Sequence, residues 1–364
     1  MKIAFYSPLK PPNHPVPSGD RLMARLLMAA LEKAGHQVQL ASQLRAFLRN
    51  DEASTSKDLA AAAMAERRRL AALWQKEGLP DAWFCYHPYY KAPDLIGPAL
   101  SRDFGLAYIT AEASYSARRN SGIWAQTQGQ VLDAVGLAAV NLCLTQRDHD
   151  GLCKALPEAR LARLLPFIDP ALQLARLPEP SRGRLITVAM MRAGDKMQSY
   201  AMLAEALSRL SHLDWQLDII GDGPRAGEVR TLFSGFGADR VVWHGEKGPD
   251  EIADLLSQAA VYVWPGCGEA YGLAYLEAQA AGLPVVAQAI AGVPEVVSHG
   301  RTGLLTPAGD IDAYARAVEQ LLTGHEERSA FADAARIFAG EERSLDRAAV
   351  RLGEILDRTL ARVL

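Results

Sequence analysis

Short apolar runs rich in β-branched and aromatic residues alternate with longer stretches of helical spacing along most of the chain. In the first half these runs predict strands at Lys2–Ser7, Gln37–Ser42, Ala82–His87, Leu106–Thr110 and Asn141–Leu144. Between the first two, Leu22, Leu26, Ala29, Ala30 and Lys33 recur at helical intervals across Asp20–Ala34, and Gly35 closes the helix. The second half repeats the pattern, with strands at Leu185–Met190, Gln216–Ile220, Arg240–His244, Val261–Trp264, Pro284–Gln288 and Gly303–Thr306. Helices fill the gaps, notably Met197–Leu210 and Leu273–Ala281. Alternation of this kind predicts βαβ units and parallel sheets. The stretch Pro170–Gly183, with Leu177-Pro-Glu-Pro and no periodicity, reads as a linker. The expected α/β architecture is two sheet domains flanking a cleft, 1–169 and 185–344, joined by 170–184, with a terminal helix at 345–364. Ligands in open α/β sheets bind beyond the carboxyl ends of the strands, so the turns there are where chemistry is sought.

Composition narrows the class without changing that picture. The 364 residues, 49% hydrophobic and 22% charged, suffice for two packed cores. No apolar run is long enough for a membrane-spanning helix, and the N-terminal MKIAFYSPLKPP is too short in apolar length for a secretory signal. Cys85, Cys143, Cys153 and Cys267 are widely spaced, which points to reduced thiols in the cytoplasm. Net charge −3 argues against nucleic acid as a partner. The charge is uneven, however: residues 1–170 carry net +4 and residues 171–364 net −7.

The densest candidate for chemistry is Trp264-Pro-Gly-Cys-Gly-Glu-Ala-Tyr-Gly-Leu-Ala-Tyr-Leu-Glu-Ala278. A strand ends, a glycine-rich turn follows, and a helix starts near Tyr271 or Gly272 and stops before Gly282 and Pro284. The unpaired N–H groups at such a helix start suit a phosphate. Glu269 and Glu277 are eight residues apart, about 12 Å if every step were helical. That is too far for the carboxyl pair of a glycosidase. It suits two carboxylates gripping separate hydroxyls of one extended ligand, or else a solvated acidic loop with a helix-face glutamate. Arg192 and Lys196 follow a strand, where fixed cations would stabilise a departing diphosphate. Gly221-Asp-Gly-Pro-Arg-Ala-Gly227 misses the dinucleotide G-x-G-x-x-G spacing by one residue and reads as a strand–helix turn.

Glu269-x7-Glu277 is followed by Ala281-Gly-Leu-Pro-Val-Val286, Ala291-Gly-Val-Pro-Glu-Val-Val297 and Gly300-Arg-Thr-Gly-Leu-Leu305. Upstream lie Leu165-Pro-Phe-Ile-Asp169, Arg192 with Lys196, Ile220-Gly-Asp-Gly-Pro224 and Val242-Trp-His-Gly245. In this order the series closely resembles the family 4 retaining glycosyltransferases of the GT-B fold, strongly over 185–320 and loosely over 1–170. The resemblance implies two Rossmann-like domains and transfer of a sugar, with retention, from a nucleotide-diphosphate donor. Glu269 would then contact the transferred sugar and Glu277 the ribose. The N–H groups near Tyr271, Gly272 and Leu273 would face the distal phosphate, and Gly221 would lie near the nucleotide. Arg192 stands four residues before Lys196, whereas the family often has Gly-Arg directly after the strand, so Lys196 matches the pattern better than Arg192.

The first half departs more from that pattern. Gly19 alone matches the family's Gly-Gly turn, beside Ser18 and Asp20 as potential helix caps. Glu112 stands where many relatives place a histidine, and His87 and His14 are further acceptor-side candidates. Asp310-Ile-Asp312 has the form of a diphosphate–metal motif but opens a helix, so capping explains it and no catalytic metal or other cofactor is expected. Lys57–Lys76 is a basic helical stretch with Arg67, Arg68 and Arg69, compatible with an anionic membrane surface or with a core-packed helix. The acceptor is expected to be a sugar, a lipid-linked glycan or a small molecule. Rival readings are an epimerase of the same fold, an NAD-dependent dehydrogenase and a non-enzymatic sugar-binding protein.

Overall fold

A computed structural model describes residues 1–48 and 53–360. The chain divides into two units, Met1–Leu165 with Leu345–Leu364, and Pro166–Ser344. The first unit runs β1 (Lys2–Tyr6), α1 (Gly19–Lys33), β2 (Gln37–Ser42), α2 (Ala53–Glu77), β3 (Ala82–Tyr86), α3 (Gly97–Phe104), β4 (Ala107–Ala111), α4 (Gly122–Leu137), β5 (Val140–Cys143), α5 (Gln146–Ala155) and β6 (Leu161–Arg163). The six strands pair in parallel in the order β2-β1-β3-β4-β5-β6. Strand β6 has no counterpart in the sequence pattern: its three half-buried residues, Leu-Ala-Arg, carry no alternation.

The central strands are near-continuous apolar runs because helices cover both faces of a parallel sheet. All five residues of β3 are buried. Beside them Asp94 is buried and satisfied, accepting from Trp83 Nε1 (2.9 Å), Tyr108 Oη (3.0 Å) and the Ile96 and Gly97 amides. Four donors compensate its desolvation, so it reads as core architecture.

The second unit opens with α6 (Ala171–Leu174), β7 (Arg184–Val188), α7 (Asp195–Ser208), β8 (Gln216–Ile220), α8 (Ala226–Leu232) and β9 (Val241–Gly245). It continues through α9 (Pro249–Gln258), β10 (Val261–Val263), α10 (Leu273–Ala280), β11 (Val285–Gln288), α11 (Val293–Val296), β12 (Gly303–Thr306), α12 (Ile311–Thr323) and α13 (His325–Ile337), which runs into a π-helical turn at Phe338–Glu342. Its sheet order is β12-β11-β10-β7-β8-β9. The stretch read as a linker lies within this unit: it contains α6, and the amides of Glu179 and Ser181 donate to the Ser257 and Gln258 carbonyls.

The final element, α14 (Leu345–Leu360), belongs to the first unit and packs on α1. Ala348, Ala349, Leu352, Ile355, Leu356 and Leu360 form its buried stripe at helical spacing. Each fully buried leucine contributes roughly 1.5–3 kcal/mol. Lys33 and Asp346 meet at 2.6 Å on the exposed side. Positions 361–364 of the expected terminal helix lie outside the described residues.

Candidate active site

In a parallel sheet the crevice forms where the strand order reverses, because neighbouring connections leave there in opposite directions. In the second unit that point lies between β7 and β10. The β7–α7 loop carries Arg192, the first turn of α7 carries Lys196, and the β10–α10 loop carries Glu269. Lys196 Nζ pairs with Glu269 Oε1. Trp264 organises both: its Nε1 lies 3.3 Å from Glu269 Oε1 and its ring centroid 5.3 Å from Lys196 Nζ. Trp264 is buried and stacks edge-on against Tyr200 at 4.9 Å. Sequence pattern placed Trp264 only as a strand end, since nothing local shows what its indole will meet.

Arg192 is exposed, and among the described residues it has no ion-pair partner. Its loop is held from below by the turn after β8. Asp222 O accepts from Met191 N (2.9 Å) and Met191 O accepts from Arg225 N (3.0 Å). Gly221 and Gly223 have φ of 139° and 155°, and a Cβ on either would run into the carbonyls of Ala189 and Met191. Gly221 therefore packs against the loop that presents Arg192.

Helix α10 begins at Leu273 with Gly272 as N-cap at φ 80°. The turn before it is not helical, so the even helical climb from Glu269 to Glu277 does not occur. Gly272 cannot carry a side chain, because a Cβ would lie 2.7 Å from the Tyr275 ring. Tyr275 Oη in turn donates to Trp264 O at 3.1 Å, tying the helix start to the end of β10. Tyr271 and Leu273 are buried, and a helix start leaves N–H groups without intrahelical partners, which suits an anion. Glu277 is half-buried, and its removal from water raises its carboxyl pKa. No described residue hydrogen-bonds to its side chain. A carboxyl without a protein partner is open to a ligand or to water.

The remaining candidates are in the first unit. Gly19 opens α1, exposed and with open space around it, after Ser18, whose Oγ caps the helix by accepting from Arg21 N (3.2 Å). His14 Nδ1 accepts from Val16 N at 3.1 Å, a turn contact within the proline loop. His87 and Glu112 end the adjacent strands β3 and β4, both left-handed, at φ 58° and 56°. His87 Nδ1 lies 3.1 Å from Asp20 Oδ1 on α1. Burial opposes its charge, but Glu112 nearby and the Asp20 hydrogen bond prevail, and the pKa rises to about 9. The pairing of Asp20 with His87 escaped the sequence, which marked Asp20 only as a cap. The pair sits where β1 and β3 diverge, the reversal point of the first sheet.

Asp310 caps α12, accepting from Ala313 N at 2.8 Å, and Asp312 pairs with Arg209. In α2, Arg67 donates to Leu95 O (2.8 Å) and Arg69 to Glu66 and Ala41 O (2.7 Å). Two of the three arginines offered to a membrane are thus committed within the unit. No described helix is long and apolar enough to cross a membrane.

Residues 182–324 match the family described as Glycosyl transferases group 1. An exopolysaccharide phosphotransferase of Streptomyces coelicolor is 33% identical over 183 residues, 49% of this chain and 19% of that protein. A GDP-mannose-dependent α-(1-6)-phosphatidylinositol monomannoside mannosyltransferase of Mycobacterium tuberculosis is 34% identical over 148 residues, 38% of each. The matched stretches thus span well under half the length of these relatives. The structure of HepE from Anabaena, solved in complex with UDP, superposes with a TM-score of 0.71 at 16% identity, covering 98% of this chain and 100% of that one. The fold is GT-B, two α/β units each built on a six-stranded parallel sheet. The group 1 match lies within the second unit and takes in Arg192, Lys196, Glu269 and Glu277.

Proposed function

We propose that the chain transfers a sugar from a nucleoside-diphosphate donor to a hydroxyl acceptor, with retention and without a metal. One observation carries this reading: cations, a helix start and two carboxylates converge at the β7/β10 reversal point. Lys196 and Arg192 suit a diphosphate, and the α10 start suits its distal phosphate. Glu269 and Glu277 suit pairs of hydroxyls on sugar and ribose. In the free protein Lys196 and Glu269 neutralise each other. On donor binding Lys196 turns to the diphosphate and Glu269 to the sugar, so the two charges are exchanged for ligand partners of matching chemistry. As the bond to the anomeric carbon breaks, negative charge grows on the diphosphate, and prepositioned cations and N–H groups lower that barrier.

Retention rests on the resemblance to the retaining family. Metal independence is supported by these cations and by Asp310 being spent on a cap. The base of the donor is left open, since the mannosyltransferase is named for GDP-mannose and HepE is described with UDP. A cytoplasmic location accords with four free cysteines. Neither the epimerase nor the NAD-dependent dehydrogenase is favoured by the matches.

Thermal shift with UDP-glucose, GDP-mannose and NAD, followed by donor hydrolysis without acceptor, tests the proposal. Stabilisation by a nucleotide sugar, and release of its nucleoside diphosphate undiminished in chelator, is expected. Stabilisation by NAD alone, or activity abolished by chelator and restored by manganese, overturns it.

A further inference from the structure

The reversal point of the first sheet holds a second constellation that donor chemistry leaves unused. Asp20, at the start of α1, is hydrogen-bonded to His87 at the end of β3, and Glu112 ends the neighbouring β4. His87 and Glu112 are two of only three non-glycine residues with left-handed backbone among the described residues. Such conformations persist where the surroundings enforce them. Here they turn two ionisable side chains at adjacent strand ends, the edge on which α/β sheets bind ligands.

From His87 a line of rings leads outward. Tyr89 lies 5.1 Å from the imidazole at 33°, Tyr90 lies 5.3 Å from Tyr89, and Trp124 on α4 lies 5.3 Å from Tyr90, the last two contacts edge-on. All three aromatic side chains are half-buried, so each presents part of its ring to solvent. Two cations flank the far end. Lys91 Nζ is 6.0 Å from the centroids of both Tyr90 and Trp124, and Arg119 Cζ is 5.6 Å from Tyr90. Neither cation has an ion-pair partner among the described residues. Ring faces attract such cations through the ring quadrupole, which positions but does not neutralise them.

Each part suits one part of a ligand. Partly exposed aromatic rings pack on the C–H faces of a sugar or polyol. A guanidinium and an ammonium without counter-charge take a phosphate. A histidine held by an aspartate orients a hydroxyl. We infer that this surface binds a phosphorylated sugar or polyol, with its phosphate on Lys91 and Arg119, its ring against Tyr90 and Trp124, and a hydroxyl at His87. The ligand would be the acceptor of the proposed transfer, so the role, though not the binding, rests on that reading. The phosphate could belong to a soluble sugar phosphate or to a lipid headgroup, which share this chemistry.

Saturation-transfer NMR on the full chain tests it, with glucose and glucose 6-phosphate as one matched pair. Vesicles of phosphatidylcholine with and without phosphatidylinositol, read by sedimentation, form the other. Binding of glucose 6-phosphate is expected at least fivefold over glucose, or of the phosphatidylinositol vesicles at least fivefold over phosphatidylcholine alone. The Lys91→Ala/Arg119→Ala double variant should lose at least fivefold of that binding, while nucleotide-sugar thermal shift stays at the wild-type value. A response to the glucose pair alone identifies a soluble ligand, and to the vesicles alone a headgroup. No binding in either arm, equal binding of glucose or of the phosphatidylcholine vesicles, or wild-type binding by the double variant overturns the inference. If nucleotide sugars still stabilise the chain in that event, the proposed transfer survives it.

Discussion

Lys196→Met removes the cation of the Lys196–Glu269 pair while keeping most of the side chain's bulk beside Trp264. Two effects of different kind follow. In the free protein both side chains are only 19% exposed, so among the described residues Glu269 is left with the Trp264 N–H as its one remaining donor. An under-satisfied charged group of this kind costs about 1–3 kcal/mol of stability. In turnover, loss of one prepositioned group facing the developing charge of the leaving diphosphate costs about 2.7–4 kcal/mol, or ~100- to 1,000-fold in kcat. Glu269→Gln supplies the other half of a double-mutant cycle. If the residues serve only each other, the double variant is no worse than either single variant in both stability and rate. If they contact diphosphate and sugar separately, the stability effects are non-additive while the rate effects multiply. The assay is donor hydrolysis without acceptor, followed by nucleoside diphosphate release, with Tm measured on the same samples. Turnover of Lys196→Met within threefold of wild type refutes the assignment.

Three further outcomes are expected. His87 has its pKa raised to about 9 in the fold against about 6.5 when unfolded, so its contribution is complete below pH ~6.5 and fades as pH rises through 9. Denaturant titrations of wild type should therefore lose on the order of 3 kcal/mol across that window, and His87→Gln should remove most of the slope; an unchanged slope contradicts the pairing with Asp20 and Glu112. Glu277→Gln relieves a partly buried carboxyl without a partner, so Tm of the ligand-free chain should rise by about 2 °C while stabilisation by nucleotide sugar falls. A fall in Tm with nucleotide-sugar stabilisation intact would place Glu277 in the structure rather than the site. Gly221→Ala adds a Cβ against the Ala189 carbonyl at φ 139° and should cost about 2 kcal/mol or more in denaturant unfolding; a neutral effect would show that the β8 turn does not buttress the Arg192 loop.

The alternation of strands and helices was legible because each element carries its own period. The helix at α1, the buried runs of β3 and β7, and the α10 turn all announce themselves locally. Boundaries moved by one or two residues, as with Leu185–Met190 against Arg184–Val188. Strand β6 escaped because three half-buried residues cannot show a period. The site was legible as motifs but not as contacts. Lys196 and Glu269 are 73 positions apart, and Asp20 and His87 are 67 apart. No sequence spacing reveals that either pair meets, because the sheet order brings them together. Trp264 remained hidden for the same reason, and the three arginines of α2 looked like a surface until Arg67 and Arg69 found backbone carbonyls.

The placement of α14 on α1 makes the first unit discontinuous, with the whole of 166–344 inserted before its last helix. During synthesis the second unit is therefore complete while the first still lacks the stripe of Leu352, Ile355 and Leu356 that covers it. The unit that begins first finishes last. Until α14 emerges, the face of α1 that will receive it stays wet, and chaperone binding or proteolytic nicking of a stalled chain should concentrate there rather than on the second unit.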